Sequence, residues 1–94
     1  MRVEWTAAAL ANFEEQFDYT AREDPLAAGR TFSHLIDVVE GLARFPSMGR
    51  PGRIPGTREL VVSGTPFVVA YQVLGQTVEV LRVLHAAQKW PSEF

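Results

Sequence analysis

The sequence predicts an α+β fold in which an antiparallel helix hairpin packs on one face of a small, mainly antiparallel sheet, in the order β-α-α-β-β-β. Three observations carry that prediction. The first half holds two long segments with apolar residues at spacings of three and four. A stretch dense in proline and glycine follows, from Pro46 to Gly56. The second half then reads as short β segments separated by turn residues. At 94 residues the chain is read as one domain spanning residues 1–94. A domain this small buries only about 60% of its unfolded surface, so a shallow groove is expected in place of an enclosed pocket.

Residues 2–5 alternate and make a short first strand. Thr6 is a suitable N-cap for the run from Ala7 to Asp24, which contains no glycine or proline. Within that run Leu10, Phe13, Phe17 and Ala21 form one apolar stripe, while Glu14, Glu15 and Asp18 fall off it. Asp24-Pro25 is a break and a restart: Asp24 caps the second helix, and Pro25 suits a first position where a missing N–H costs nothing. Ala28, Phe32, Leu35, Ile36, Val39 and Leu42 form the second stripe, which Pro46 ends near Phe45. Helices joined so tightly pack as an antiparallel hairpin.

Pro46 to Gly56 reads as a stiff loop without regular structure. Because it also carries Arg50 and Arg53, it is the first candidate for a functional surface. Arg58–Val62 is the next strand, turned by Ser63-Gly64-Thr65-Pro66. Phe67–Leu74 is the most continuous apolar run, as a central strand buried on both faces requires. Gly75-Gln76 fits a tight hairpin turn leading into a strand over Thr77–His85. Ala86–Trp90 reads as a last helical turn, ended by Pro91. The apolar positions Leu10, Phe13, Phe17, Phe32, Ile36, Val39, Val69 and Tyr71 are expected to pack as core, with a partner groove at Phe13 or Phe17 as the alternative.

Composition excludes several function classes. There is no cysteine, hence no disulfide, thiolate zinc site or cysteine nucleophile. His34 and His85 are the only histidines and lie on different elements without ligand spacing, so no metal is expected. Gly49-Arg50-Pro51-Gly52 lacks the lysine and following helix of a phosphate-binding loop, and no cofactor is expected. Met1–Trp5 carries no charged-then-apolar signal, and no apolar run reaches membrane-spanning length, so a cytoplasmic protein without membrane contact is expected. The net charge of −2 conceals a split. Residues 1–43 hold three arginines against eight acids, a balance of −5. Residues 44–94 hold six bases against three acids, a balance of +3, and Arg44 to Arg58 contains four arginines and no acid. Such a split draws a polyanion or an acidic peptide to one face only, while the overall acidity opposes sequence-independent nucleic-acid binding. Acids collecting on solvated helices give the same split without a partner.

Several segments together resemble the RelE/ParE superfamily of type II toxin–antitoxin toxins. Ile54–Val62 is similar to its "pG-x-RE-hydrophobic" strand, and Val80–Pro91 (VLRVLHAAQKWP) to its "ilRVlHgaq-x-wp" ending. Trp5-Thr6, Asp24-Pro25 with Ala27-Ala28, and Phe45-Pro46 with Met48-Gly49-Arg50 fall in the matching order. The resemblance spans nearly the whole chain. It implies a growth-inhibiting toxin neutralised by a cognate antitoxin, with operator DNA reached only through that antitoxin. It leaves the target divided between DNA gyrase for ParE-like members and mRNA on the ribosome for RelE-like ones.

Cutting RNA at a 2′-hydroxyl needs a base, cations for the phosphate and an acid for the leaving oxygen. The resemblance offers Arg58, Arg82 and His85 for these roles, with Glu59 or Lys89 as helpers. Against it, Arg82 and His85 are three apart and point to opposite faces of a regular strand. His85 would join Glu79, Leu81 and Val83, whereas Arg82 would join Val78, Val80 and Leu84. Only a bulge, or a strand ending at Leu84, would bring them to one groove. His85 as a structural strand-end histidine, and Arg58-Glu59 as a solvated strand pair, are the plainer readings. The lysine-rich patch and terminal tyrosine of RelE-like nucleases also have no counterpart here. Inhibition of gyrase by binding needs no base, only a surface. Arg50, Arg53 and Arg58 with the tail residues Gln88, Lys89 and Trp90 are the contacts expected for target or antitoxin, although Trp90 would equally serve as a core cap. The ParE-like reading is therefore favoured. A non-toxic interaction protein derived from such a toxin is the remaining alternative.

Overall fold

A computed structural model describes residues 1–94. The elements are β1 (Arg2–Trp5), α1 (Ala7–Glu23), α2 (Pro25–Glu40), β2 (Arg50–Pro51), β3 (Arg58–Val61), β4 (Phe67–Leu74) and β5 (Thr77–His85). The strands form one sheet in the order β1-β5-β4-β3-β2, parallel only between β1 and β5. Both helix starts follow the expected chemistry. The Thr6 hydroxyl accepts from Ala9 N–H at 3.1 Å and donates to the Leu81 carbonyl at 3.2 Å, fixing α1 to β5. The Asp24 carboxylate accepts from Ala27 N–H at 3.0 Å, with Pro25 opening α2.

The core lies between the helices and one sheet face. It joins Ala9, Phe32, Leu35, Val39 and Leu42 to Leu60, Val62, Phe67, Val69, Tyr71, Val78, Val80 and Val83. Phe32 is its hub, with ring centroids 5.2 Å from Phe13, 5.6 Å from Phe17 and 5.0 Å from Phe67.

Five expectations need correcting. On α1 it is Ala9, not Leu10, that is fully buried, because a methyl side chain lets the helix settle close to the sheet. Leu10 and Ile36, expected in the core, are 48% and 41% exposed. α2 gives way at Glu40 to a tighter 3-10 turn over Gly41–Ala43, earlier than Pro46 alone requires. The proline–glycine loop contains a short strand after all, since Arg50 pairs with Glu59 and Pro51 with Arg58 at the sheet edge, where a missing N–H faces no neighbour. Ala86–Trp90 forms a turn, not a helical one, closed by Gln88 N–H to the His85 carbonyl at 2.9 Å. Gly75, at φ 57°, makes the expected two-residue hairpin turn between Leu74 and Thr77.

Candidate functional site

The two faces of the sheet sort the candidate residues. Ala70 pairs with Arg82 but Tyr71 pairs with Val80, so Leu81 is an extra residue bulged out of β5. Before the bulge Val78 and Val80 face the helices; after it Val83 does, and His85 with it, its ring 5.7 Å from Phe67. Arg82 faces away, in a row with Ala70 and Glu59 on the open face. The bulge thus reassigns the neighbours of Arg82 and His85, yet it lies upstream of both and leaves them on opposite faces.

Arg58 is tied elsewhere. It shares the helix-side row of Tyr71, and its Nη1 donates to the carbonyls of Gly49 at 2.7 Å and Ser47 at 3.4 Å. Tyr71 completes that clamp, donating to the Pro46 carbonyl at 2.7 Å and accepting from Gly49 N–H at 2.9 Å. A side chain at position 49 would meet Tyr71 at 2.7 Å, so only glycine fits. Burial raises the Tyr71 hydroxyl above its ordinary 10.0, against the opposing pulls of Gly49 N–H and Arg58. His85 pairs with Phe67 and Arg58 with Tyr71, four residues apart on β4, or about 13 Å along the strand. Arg58, Arg82 and His85 are therefore not brought together.

The solvated Arg58-Glu59 pair does not form either. Glu59 is 4% exposed and points to the open face, opposite Arg58. Its carboxylate accepts from Arg50 Nη2 at 3.1 Å, Arg53 N–H at 2.8 Å and Arg53 Nε at 3.3 Å. Burial pushes this carboxyl up, but the Arg53 backbone N–H and the two guanidiniums outweigh it and hold the pKa below its ordinary 4.5. Glu59 thus anchors the loop and has no free lone pairs aimed at a substrate. Sequence reasoning missed this anchor; an acid facing a four-arginine segment was the available signal.

His85 accepts Ala87 N–H on Nδ1 at 3.1 Å, which places the ring proton of the neutral form on Nε2. It lines a cleft of about 440 Å³ with Gln16, Tyr19, Thr20, Thr31 and Gln88, none of them charged. Gln88 is pinned there, its Oε1 accepting from Gln16 Nε2 at 3.0 Å and His85 N–H at 2.7 Å. Lys89 is exposed, and the Trp90 ring lies 3.6 Å from the Arg53 guanidinium. Arg50, Arg53 and Trp90 form one surface, with Arg58 on the other side of the sheet. On the helices, Trp5, Leu10, Phe13 and Ile36 line a wholly apolar groove of about 200 Å³. The partner-groove alternative for Phe13 thus has its geometry, while Phe17 packs on Phe32. No helix is long and apolar enough to cross a membrane.

Known proteins match this chain along most of its length. Residues 3–90 match the model of the ParE toxin of the type II toxin–antitoxin system parDE. A Sinorhizobium fredii protein named as toxin Y4kP is 42% identical, over 96% of this chain and 93% of its own. Toxin RelE2 of Caulobacter vibrioides is 38% identical, over 93% and 97%. Among solved structures, the chromosomal ParDE system of P. aeruginosa superposes with a TM-score of 0.82 at 26% identity, over 90% of this chain and 95% of that one. The YoeB/ParE toxin of Agrobacterium tumefaciens shares the fold at a TM-score of 0.59 and 18% identity, over 90% and 98%. With that match, and with a helix hairpin on a mostly antiparallel sheet, the chain belongs to the ParE toxin family of type II toxin–antitoxin systems, within the RelE/ParE superfamily.

Proposed function

We propose that this chain arrests growth by binding DNA gyrase, as a ParE-like toxin, and that a cognate antitoxin neutralises it by docking on the Trp5–Leu10–Phe13–Ile36 groove. One observation carries the choice of target: the residues an RNA-cleaving site would need are dispersed. Arg58 gives its Nη1 to two loop carbonyls on the helix side, Arg82 faces the open side of the sheet, and His85 sits in an uncharged cleft. That dispersal argues against a scissile phosphate meeting a base and two cations together. Binding needs no such convergence. The groove supports the antitoxin assignment because Leu10 and Ile36 expose apolar area on rigid helices, the geometry that receives an amphipathic helix.

The second reading, ribosome-dependent mRNA cleavage, is favoured by the 38% identity to a relative named RelE2. Two assays on the purified protein separate them. Inhibition of gyrase supercoiling, with cell-free translation from a supplied mRNA undisturbed, is the expected result. Arg82→Ala and His85→Ala should then retain gyrase inhibition within about threefold, having no step of chemistry to lose. Cleavage of mRNA at ribosome-occupied codons would instead establish the nuclease. Silence in both assays, with no growth arrest on induction, would leave the non-toxic interaction protein.

A further inference from the structure

The large apolar side chains that the chain leaves exposed are not scattered. Five of the ten, Met1, Phe45, Met48, Val73 and Leu74, collect at one end of the sheet. Three bonds bring them there. The Met1 ammonium donates to the Ala43 carbonyl at 3.2 Å, Arg2 N–H to the Gln76 carbonyl at 3.1 Å, and the Tyr71 hydroxyl to the Pro46 carbonyl at 2.7 Å. The loop, β1 and the β4–β5 hairpin thus meet at the end of β5 opposite to His85. Phe45 is 59% and Met48 50% exposed, and with Arg44, Pro46 and Ser47 they line a shallow hollow. Their backbone is nevertheless fixed. Phe45 N–H bonds the Gly41 carbonyl at 3.0 Å and Met48 N–H the Phe45 carbonyl at 3.1 Å, while Arg58 and Tyr71 hold the carbonyls of Pro46, Ser47 and Gly49. Two large apolar side chains held out to water on a braced loop give the monomer no packing in return. They form an anchor whose backbone need not be ordered on binding.

The charge around this anchor indicates what it fits. The Arg44 guanidinium lies 5.6 Å from the Phe45 ring, and the run from Arg44 to Arg58 contains no acid. Arg58 uses only Nη1 on the loop carbonyls and keeps Nε and Nη2 free. The acids nearest to Arg44 in the chain, Glu40 and Asp37 on α2, form no ion pair with it. Glu4 and Glu79 lie on the open face of the sheet, where Arg2 bridges Glu4 at 2.7 Å and Gln72 donates to Glu79 at 2.7 Å. We propose that Phe45 and Met48 are the side chains by which this chain grips gyrase, entering an apolar socket on that enzyme whose rim carries carboxylates facing Arg44 and Arg58. This assignment rests on the gyrase reading above. A second copy of the chain fits less well, since a two-fold contact sets the patch, with its arginines, against itself. Nucleic acid would engage the arginines alone and leave Phe45 and Met48 without a role.

Variants of the full chain separate the surface from the target. Phe45→Ser and Met48→Ser, made singly, should each raise the concentration for half-inhibition of gyrase supercoiling at least about tenfold. Both should leave the urea unfolding midpoint unchanged, because the two side chains are exposed. Phe45→Leu, which keeps an apolar side chain, should lose no more than about threefold. Arg44→Glu should weaken inhibition by about threefold or more, most of all at low salt. A parent protein without effect on gyrase overturns the target reading, and this surface as a gyrase contact with it. A parent that inhibits, beside Phe45→Ser and Met48→Ser variants that inhibit equally well, overturns the surface alone. So does loss confined to Arg44→Glu, the mark of a nucleic-acid contact, or a parent dimer in sedimentation that Phe45→Ser makes monomeric, the mark of a second copy. A lowered urea midpoint in both serine variants would assign these side chains to the fold and overturn the anchor.

Discussion

Tyr71 shows how one side chain organises a loop far from it in sequence. Its hydroxyl bonds both Pro46 and Gly49, and with Arg58 it fixes the turn that delivers Arg50 to the sheet edge. Tyr71→Phe should lower stability by about 1–3 kcal/mol in urea unfolding, because it strands the buried Gly49 N–H and takes the donor from the half-buried Pro46 carbonyl. Glu59 plays the same part on the other face and adds a pH dependence. Its folded pKa lies below the ordinary 4.5, so its contribution is fully present above that pH and is lost as pH falls through the lowered value. Glu59→Gln should cost about 1.5–3 kcal/mol at neutral pH, the range for hydrogen bonds to a charged group. The variant should also lose stability less steeply than the parent between neutral and acid pH, as thermal melts across that range would read. Neither role was legible beforehand. Tyr71 looked like one more apolar strand position, and Glu59 looked solvated because only its sequence neighbour Arg58 was in view.

Elements were legible where local chemistry decides them. Thr6, Asp24-Pro25 and Gly75 each act through atoms within a few residues, and each does what its type predicts. The rotation of α1 about its axis was not. Leu10 fits a helical stripe as well as Ala9 does, and only the close approach of α1 to β5 selects the smaller residue for burial. That selection leaves Leu10 and Ile36 in a surface groove. Ile36→Glu should therefore change the unfolding free energy by no more than about 1 kcal/mol. If the antitoxin seats there, the same substitution should weaken its binding at least about tenfold in calorimetry, since a charge would enter a desolvated apolar contact. Unaltered affinity would move the antitoxin to another surface. The β5 bulge, only one of two possibilities from the sequence, falls where the adjacent Val80-Leu81 break the alternation of apolar and charged residues, and pairing with β4 places it at Leu81.

The molecule as a whole hangs on one aromatic cluster. Phe32 joins both helices to β4, so Phe32→Ala should cost about 3–5 kcal/mol. Domains of this size have only about 5–15 kcal/mol in total, so circular dichroism should show the variant partly unfolded near body temperature. The charge split has a structural counterpart. The acids of residues 1–43 ride mainly on the helices, while Arg50, Arg53 and Arg82 gather on the opposite side of the sheet. Helix spacing, capping chemistry and turn residues all act over a few positions, and they were enough to predict the α+β architecture, while the family came from the resemblance of segments such as Ile54–Val62 and Val80–Pro91. Which residues meet across the sheet, which side of α1 is buried, and where the tail comes to rest depend on contacts between segments up to 75 residues apart. Such contacts are decided by how closely whole elements can pack, and no local pattern in the chain records that distance.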